Sequence, residues 1–213
     1  MGGGGSAPVR RDYGGRSVEQ RRTERRDRLL AAGLELFGTE GYQATSIERL
    51  CARANVSTRN FYEEFASRPM LLIALHEQIT LKAVRALLEV LASAEHESLA
   101  DRMGRAVRAY IQTTSSDPRW TRICYVEVIG AGNAVERQRL TWREQVAAFL
   151  VGEAERAVRR GEAQPRDFRL TAVAYIGAVN ELVHHWSIRG RDVSLDDICA
   201  ELTRLAVAAL TAP

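Results

Sequence analysis

Thr58, Arg59 and Asn60 are three successive residues whose side chains can bind the edges of DNA bases. An arginine can bind O6 and N7 of a guanine, and an asparagine can bind N6 and N7 of an adenine. A helix that enters the major groove presents the residues of its first turn to the bases. Base readout therefore requires that these three residues begin an exposed helix.

The preceding residues predict a short first helix. Thr45 and Glu48 have the spacing of a capping box, in which each side chain satisfies a free backbone N–H at a helix start. We therefore expect the helix to begin at Ser46 or Ile47. Its apolar stripe at helical period consists of Ile47, Leu50, Cys51 and Ala54.

A tight turn and a second helix are expected next. Asn55 tolerates the left-handed backbone conformation that ends a helix, and Ser57 can cap the following one. Phe61 and Phe65 then lie one helical turn apart, as core-facing residues would. Two short helices joined by a turn of about three or four residues predict a helix-turn-helix.

The segment from Val56 to Arg68, VSTRNFYEEFASR, resembles the pattern of the tetracycline-repressor (TetR) family, VS-x-x-x-(aliphatic or aromatic)-Y-x-x-F-x-(S/N/D)-K. The resemblance extends back to about Arg26 through LLAAGLELFGTEGYQATS. Arg68 stands where lysine is usual, which keeps a phosphate-binding cation. Glu64 stands where histidine is frequent, which would add a negative charge near DNA. The resemblance implies a DNA-binding, dimeric regulator.

The residues and the resemblance together give a set of expected DNA contacts. Arg59 and Asn60 are the predicted base readers. Thr45 and Arg68 are expected at phosphates, and Tyr62 is placed there by analogy with the family tyrosine. The complete predicted set is Thr45, Ser46, Ser57, Thr58, Arg59, Asn60, Tyr62 and Arg68.

The distribution of charge also favours a nucleic-acid partner for the N-terminal part. The net charge is +3; residues 1–69 hold 12 Arg against nine Asp or Glu, and the remaining residues hold 18 charges of each sign. A solvated charged face would explain this distribution equally well. Residues 1–18, rich in Gly and Arg, are expected to be a disordered tail, with an arm that touches DNA as the alternative.

No segment predicts a membrane or secreted protein. No apolar run approaches the ~18 residues that span a bilayer, and residues 1–15 lack the apolar core of a signal peptide. We therefore expect a cytoplasmic protein without membrane contact. The three cysteines, Cys51, Cys124 and Cys199, form no CxxC pair and are expected to be small buried hydrophobic residues.

The remaining sequence predicts an all-α fold, with a three-helix DNA-binding domain at residues 19–68 and a helical effector-binding and dimerisation domain at residues 69–213. Alternating strand patterns are absent from the sequence. Gly38 and Gly41 are expected to end the first helix, and Gly190 marks a later break. The expected helices outside the helix-turn-helix are 19–37, about 69–94, 99–114, 118–129, 134–160, 166–188 and 195–210.

The body is expected to hold a ligand pocket and no catalytic site. Motifs of nucleophilic, phosphate-binding or metal-dependent enzymes are absent from the sequence, and the adjacent His184 and His185 would point about 100° apart on a helix. No metal or cofactor is therefore expected. A lipophilic, uncharged or weakly charged effector is predicted. The candidate pocket residues are Tyr110, Trp120, Tyr125, Glu127, Trp142, Phe149, Tyr175, Asn180 and His184.

The last two helices are expected to form a homodimer interface. Residues 172–179 are apolar nearly all round, which implies burial on more than one side. The final helix carries a heptad-like seam. Packing within one chain is the alternative. The seam consists of Leu195, Ile198, Cys199, Leu202, Leu205, Ala206 and Ala209.

These observations predict a homodimeric transcription regulator, most simply a repressor, that binds a palindromic operator and releases it when a small molecule binds the body. One alternative is a helical small-molecule-binding protein or enzyme whose helix-turn-helix no longer serves DNA. The other is a nucleoid-type protein that coats DNA without preference, which the balanced charge of the body disfavours.

Overall fold

The computed structural model describes residues 17–189 and 192–211. Over these residues the chain is all-α without strands, as predicted. The predicted tail lies outside the described residues except for Ser17 and Val18, which already cap and begin the first helix; Gly190 also lies outside them. The helices are α1 (Val18–Thr39), α2 (Ile47–Ala54), α3 (Thr58–Glu64), α4 (Arg68–Ser93), α5 (Leu99–Thr114), α6 (Pro118–Arg122), α7 (Asn133–Arg159), α8 (Arg169–Ile188) and α9 (Leu195–Thr211).

The turn of the helix-turn-helix forms for the expected reasons, with one correction at its start. Ser46 caps α2 by accepting the backbone N–H of Arg49, so Ser46 and not Thr45 is the cap, and the predicted capping box of Thr45 and Glu48 is wrong. Asn55 ends α2 in the left-handed conformation, at φ 51°. The side chain of Ser57 accepts the N–H of Asn60 and starts α3.

The three N-terminal helices share one apolar core with the body. Leu29, Phe37, Leu50, Phe61 and Leu71 are fully buried, and each such side chain contributes roughly 1.5–3 kcal/mol on leaving water. The same cluster continues through α4 and the segment after α6 as far as α9. The domain boundary at residue 68 remains a prediction, because this single apolar cluster extends across it.

The predicted helix 118–129 divides into two parts. α6 passes directly into a π-helical turn at Ile123–Glu127, whose first three residues are buried. Such a turn contains one more residue than a regular α-helical turn and often lies at a functional site. Here it packs against α1, α4 and α8.

Gly38 was expected to end the first helix, but it lies inside α1. A Cβ atom on Gly38 would lie 2.5 Å from the Cβ of Arg119, so the glycine allows α1 and α6 to touch. α1 ends instead at Thr39, and Gly41 follows with φ 103°. Its N–H donates to the carbonyl of Leu36.

The predicted seam of α9 packs within the chain. Ile198, Cys199, Leu202 and Ala206 are buried, and α9 packs mainly along α5. A Cβ on Gly104 of α5 would lie 3.3 Å from Thr203, which reflects how closely the two helices approach. The expectation that these four residues lie between two copies of the chain is therefore corrected, whereas pairing of the last two helices with their copies remains a prediction.

Candidate DNA-binding surface and ligand cavity

The exposed face of α3 carries the side chains predicted to read bases. Phe61 is fully buried and fixes the helix, whereas Thr58 and Arg59 project into solvent from its first turn. The side chain of Arg59 is 90% exposed, and its Nε lies 3.6 Å from the carboxylate of Glu63. Asn60 is partly exposed. These side chains are free to meet a base edge without any change in the helix.

Tyr62 and Ser46 flank this surface. Tyr62 is 55% exposed, and its ring packs edge-on against Phe61 at 5.5 Å between centroids. The aromatic ring is thus anchored while its outer part faces solvent. Ser46 and Ser57 use their hydroxyls as helix caps, so their predicted DNA contacts would fall near the free N–H groups of two helix starts.

Thr45 is placed differently from the prediction. It is completely buried, and its hydroxyl donates to the carbonyl of Gly41 at 2.8 Å. Its carbonyl accepts a hydrogen bond from Arg68. The expectation that the Thr45 side chain reaches a phosphate is corrected, because this hydroxyl holds the loop between α1 and α2.

Arg68 is also tied into this loop. Its guanidinium lies 4.2 Å above the ring of Tyr42, in addition to its hydrogen bond to Thr45. Such a stacked cation stabilises the loop as well as carrying charge. A phosphate contact by Arg68 remains a prediction, and it would use a side chain that is already positioned.

Glu64 was expected to add a negative charge near DNA, but the structure does not expose this charge. Its carboxylate is only 1% exposed and accepts hydrogen bonds from Arg25 at 3.0 Å and Arg22 at 3.3 Å, both on α1. Arg26 donates to the backbone carbonyl of Glu64 and lies over the ring of Phe65. The carboxylate therefore fastens α3 to α1.

A cavity of about 370 Å³ lies in the body between α4, α5, α7 and α8, with parts of the π-helical turn and α9 in its wall. This volume is within the range of about 300–1,000 Å³ that is typical of ligand pockets. That the predicted pocket residues bind a ligand remains a prediction. Those that line the cavity are Tyr110, Tyr125, Trp142, Phe149, Tyr175 and Asn180.

The other three predicted pocket residues lie outside the cavity wall. The ring of Trp120 lies 4.6 Å from the amino group of Lys82 and does not line the cavity. His184 lies beyond the stretch of α8 that lines the cavity, which ends at Asn180. Glu127 is engaged with the N-terminal domain.

Glu127 joins the body to the loop after α1. Its carboxylate accepts the N–H of Tyr42 at 2.6 Å and pairs with the Nε of Arg122 at 2.7 Å. Arg122 in turn donates to the carbonyl of Thr39 at 2.7 Å. Because Tyr125 lines the cavity two residues before Glu127, the cavity wall and the DNA-binding domain share one short segment.

The aromatic hydroxyls of the cavity are engaged by the protein. Tyr125 exchanges a hydrogen bond with Thr114 at 3.0 Å, and Tyr175 donates to the carbonyl of Leu202 at 3.2 Å. Burial raises the pKa of both hydroxyls, so they stay neutral. Burial likewise raises the pKa of the Cys124 thiol, which remains protonated and unreactive.

Seven polar residues of the cavity wall were not among the predicted pocket residues: His76, Thr80, Arg139, Arg143, Gln145, Glu153 and Thr171. His76 is buried edge-on to Trp142; burial and the charge of Arg139 lower its pKa to about 4, so it is neutral. The spacing of Arg139 and Arg143, one helical turn apart on either side of Trp142, was the signal that could have found them.

The described part of the chain contains neither a metal site nor a membrane span. No group of three or more His, Cys, Asp or Glu in residues 17–189 and 192–211 is arranged to hold a metal ion. No helix within the same ranges is long and apolar enough to cross a bilayer.

The fold and its exposed α3 define a helix-turn-helix protein with a hollow helical body. Residues 29–75 match the family described as bacterial regulatory proteins of the tetR family, and residues 96–210 match the tetracyclin repressor-like C-terminal domain. The second match alone covers more than half of the 213 residues. The chain belongs to the TetR family, which is a family of transcriptional regulators.

Individual relatives are distant. The HTH-type transcriptional regulator TcmR of Streptomyces glaucescens is 38% identical over 55 residues, which cover 25% of this chain and 24% of that protein. The regulator FadR of Bacillus subtilis, in complex with stearoyl-CoA, is 15% identical with a TM-score of 0.73 over 86% of this chain and 98% of that one. A TetR-family protein of Syntrophomonas wolfei is 18% identical, with a TM-score of 0.76 over 88% of this chain and 95% of that one. The two structural likenesses establish the fold alone.

Proposed function

We propose that this protein is a repressor that binds a palindromic operator as a homodimer and releases it when a lipophilic small molecule enters the cavity of its body. The proposed place of action is the cytoplasm. The observation that carries the proposal is the first turn of α3, where Arg59 and Asn60 lie on the exposed side of a helix whose other side is buried at Phe61. A helix held in this way can enter a major groove.

The contacts that fasten α3 support the proposal. Glu64 is paired with two arginines of α1, and Arg68 holds the carbonyl of Thr45 before α2. Base recognition needs side chains presented from a rigid element, because loose groups lose entropy on binding. A protein whose helix-turn-helix no longer bound DNA would not need these contacts to hold α3 rigid.

The cavity supports a lipophilic effector. Its wall is predominantly apolar, and the hydroxyls of Tyr125 and Tyr175 are already satisfied by the protein. The FadR structure of similar fold was obtained with stearoyl-CoA, a ligand with a long apolar chain. A ligand that binds more tightly to the DNA-free arrangement than to the DNA-bound one would release the operator.

Two routes could carry the signal from the cavity to α3. One runs along α4, which contributes His76 and Thr80 to the cavity wall and Leu71 to the core beneath the helix-turn-helix. The other runs from Tyr125 to Glu127 and then to the N–H of Tyr42. Expansion of the cavity would move both segments, and through them the loop that Arg68 holds.

A homodimer would place two α3 helices on one duplex. We propose that the exposed face of α8 is the central part of the interface, because Leu170, Val173 and Ile188 are exposed apolar residues there. A Cβ on Gly177 would meet no atom of residues 17–189 or 192–211 within 4 Å, so this face also offers room for close approach of a second helix. Two-fold symmetry then demands two half-sites of opposite orientation.

The decisive experiment is fluorescence anisotropy of the purified protein on DNA from immediately upstream of its own gene and on a scrambled duplex, at near-physiological salt. We expect at least about a thousandfold preference for the upstream DNA. Equal, weak binding to both duplexes would contradict a sequence-reading regulator of its own promoter. Equal and tight binding to both would favour the nucleoid-type alternative.

A further inference from the structure

The cavity wall carries three ionised side chains among the described residues, namely Arg139, Arg143 and Glu153. All three lie on α7, which lines the cavity from Arg139 to Ala154, a length of roughly 22 Å at 1.5 Å per residue. The two arginines occupy one end of this stretch and the glutamate lies near the other. The cavity is therefore electrostatically uneven along its length.

Two of these three charges are balanced by the protein. Arg139 pairs with Glu136 at 2.5 Å. Glu153 is buried and has two cationic neighbours, Arg156 at 3.2 Å and Arg102 at 3.9 Å. A ligand gains little binding free energy by pairing with a side chain whose charge is already compensated by another residue.

Arg143 has no directly bonded anionic partner among the described residues. It makes neither a salt bridge nor a hydrogen bond to another residue within 17–189 or 192–211, although it is partly buried. Arg139 lies one helical turn before it, so two positive charges share one face of α7. Burial and the charge of Arg139 lower the pKa of Arg143, and the charge of Glu136, which pairs with Arg139, offsets part of this shift; arginine remains charged at neutral pH. A partly buried cation beside a like charge attracts an anion.

We propose that the ligand of this cavity is an amphiphilic anion: an apolar chain or ring system that carries one carboxylate or phosphate group, which binds the guanidinium of Arg143. The proposal rests on the proposed function insofar as this ligand is the effector. A guanidinium can bind either anion with two parallel hydrogen bonds. The apolar part would extend along α7 past Phe149 towards Ala154.

The other polar groups at this end suit the same ligand. His76 is neutral and Trp142 lies beside it, so neither competes with Arg143 for the anion. Burial raises the pKa of the Tyr110 hydroxyl and the side chain of Trp142 offsets part of this shift, so both residues present uncharged groups to the cavity. A cationic amphiphile would meet two arginines here and find Glu153 already paired.

The test is displacement of the uncharged fluorescent dye N-phenyl-1-naphthylamine from the full-length protein by compounds with the same apolar chain. Dodecanoate, dodecyl phosphate, dodecanol and dodecyltrimethylammonium are compared below their micelle concentrations. We expect at least one of the two anions to displace the dye at about tenfold lower concentration than dodecanol, and the ammonium compound to be weaker than dodecanol. The carboxylate and phosphate arms distinguish the two anionic groups.

Arg143→Met should abolish the preference for anions and leave displacement by dodecanol unchanged. Arg143→Gln is the second variant, because its shorter polar side chain disturbs the wall differently. Arg159→Met, an exposed position on the same helix outside the cavity, is the matched control and should retain the preference. Equal displacement by both anions and by dodecanol in the unaltered protein, or an equal loss for the preferred anion and for dodecanol in Arg143→Met, would overturn the inference.

The same compounds are added to the protein on its specific DNA, so that two failures can be told apart. Specific DNA binding together with equal displacement by anion and alcohol would overturn the inference and leave the regulatory function standing. Anion preference that depends on Arg143, without specific DNA binding, would support the inference and contradict the proposed function.

Discussion

Individual side chains around the helix-turn-helix divide into those that hold the domain together and those that remain available. Thr45, Glu64 and Arg68 are engaged by other parts of the protein, whereas the side chain of Arg59 is almost entirely exposed. Arg59 is close to one carboxylate, that of Glu63. Exchanging such a solvent-exposed ion pair for a bidentate contact with guanine costs little, because exposed pairs are worth about 0–1 kcal/mol.

Arg59→Ala is therefore expected to weaken binding to specific DNA by about 1–3 kcal/mol and to relax the base preference at one position of each half-site. Anisotropy titrations on the operator and on duplexes with single base changes measure both effects. Arg159→Ala removes the same charge from the body and should leave operator binding within about threefold. An equal loss on operator and random DNA would show that Arg59 binds phosphate instead of a base.

His76 makes the folding stability depend on pH. Its pKa in the folded protein is about 4, below the value of about 6.5 that it has when unfolded, so the unfolded chain takes up the proton first as the pH falls. Stability is therefore lost between about pH 6.5 and pH 4. The loss from this residue approaches about 3 kcal/mol at the lower limit. Arg139 on α7 is the charged neighbour that reinforces the effect.

Urea unfolding at pH 7.0 and at pH 4.5 measures this contribution. The decrease in stability between the two pH values should be smaller in His76→Gln than in the unaltered protein. His96→Gln, which changes an exposed histidine, should show the unaltered decrease. If both variants lose the same stability as the unaltered protein, His76 is protonated in the folded chain at pH 4.5.

At the scale of helices, the contact between α1 and α6 sets the distance between the DNA-binding domain and the body. Gly38 allows this contact, and Glu127 with Arg122 fastens the loop that follows α1. The contact is tight because the backbone of one helix meets the Cβ of the other. A single methyl group at this point should therefore force the helices apart.

Gly38→Ala is expected to destabilise the protein by about 1–3 kcal/mol despite the better helix propensity of alanine, because the added Cβ overlaps Arg119. Gly152→Ala in α7 is the matched control, since a Cβ there meets no atom within 4 Å in the part of the chain that the structure describes. That variant should gain up to about 1 kcal/mol. Urea unfolding of both variants measures the difference, and equal stabilities would show that α1 and α6 separate without cost.

At the scale of the whole molecule, the assembly depends on which apolar surface the chain leaves uncovered. The seam of α9 is used against α5, so the exposed apolar face of α8 is the stronger candidate for pairing. An exposed patch of this kind on a helix commonly marks an interaction surface. Dimerisation through α8 would also hold two α3 helices together on one duplex.

Val173→Arg, a change on this face, is expected to produce a monomer and to reduce operator affinity by about a hundredfold or more, because the two half-sites are then bound independently. Light scattering after size-exclusion chromatography gives the mass. Leu140→Arg places the same charge at an exposed apolar residue of α7 and should leave the dimer intact. A Val173→Arg dimer of unaltered affinity would place the interface elsewhere.

The sequence determined the helices and the helix-turn-helix, because the signals for these act over a few residues. The predicted bounds 99–114 are those of α5, and Asn55 ends α2 in the predicted backbone conformation. The all-α fold and the family followed from the same local patterns. The exposure of Arg59 also followed, since its place between a cap and a buried phenylalanine fixes the direction of its side chain.

The tertiary structure decided which residues meet across long distances in the chain. It gave the Glu64 carboxylate its arginines from α1, placed Glu127 against Tyr42, and directed the seam of α9 to α5. It also placed Arg143 in the wall of a cavity, with neither a salt bridge nor a hydrogen bond to another described residue. A charge or an apolar stripe has the same local pattern whether it faces solvent, another helix or a ligand. Only the packing of distant helices settles which of these it meets.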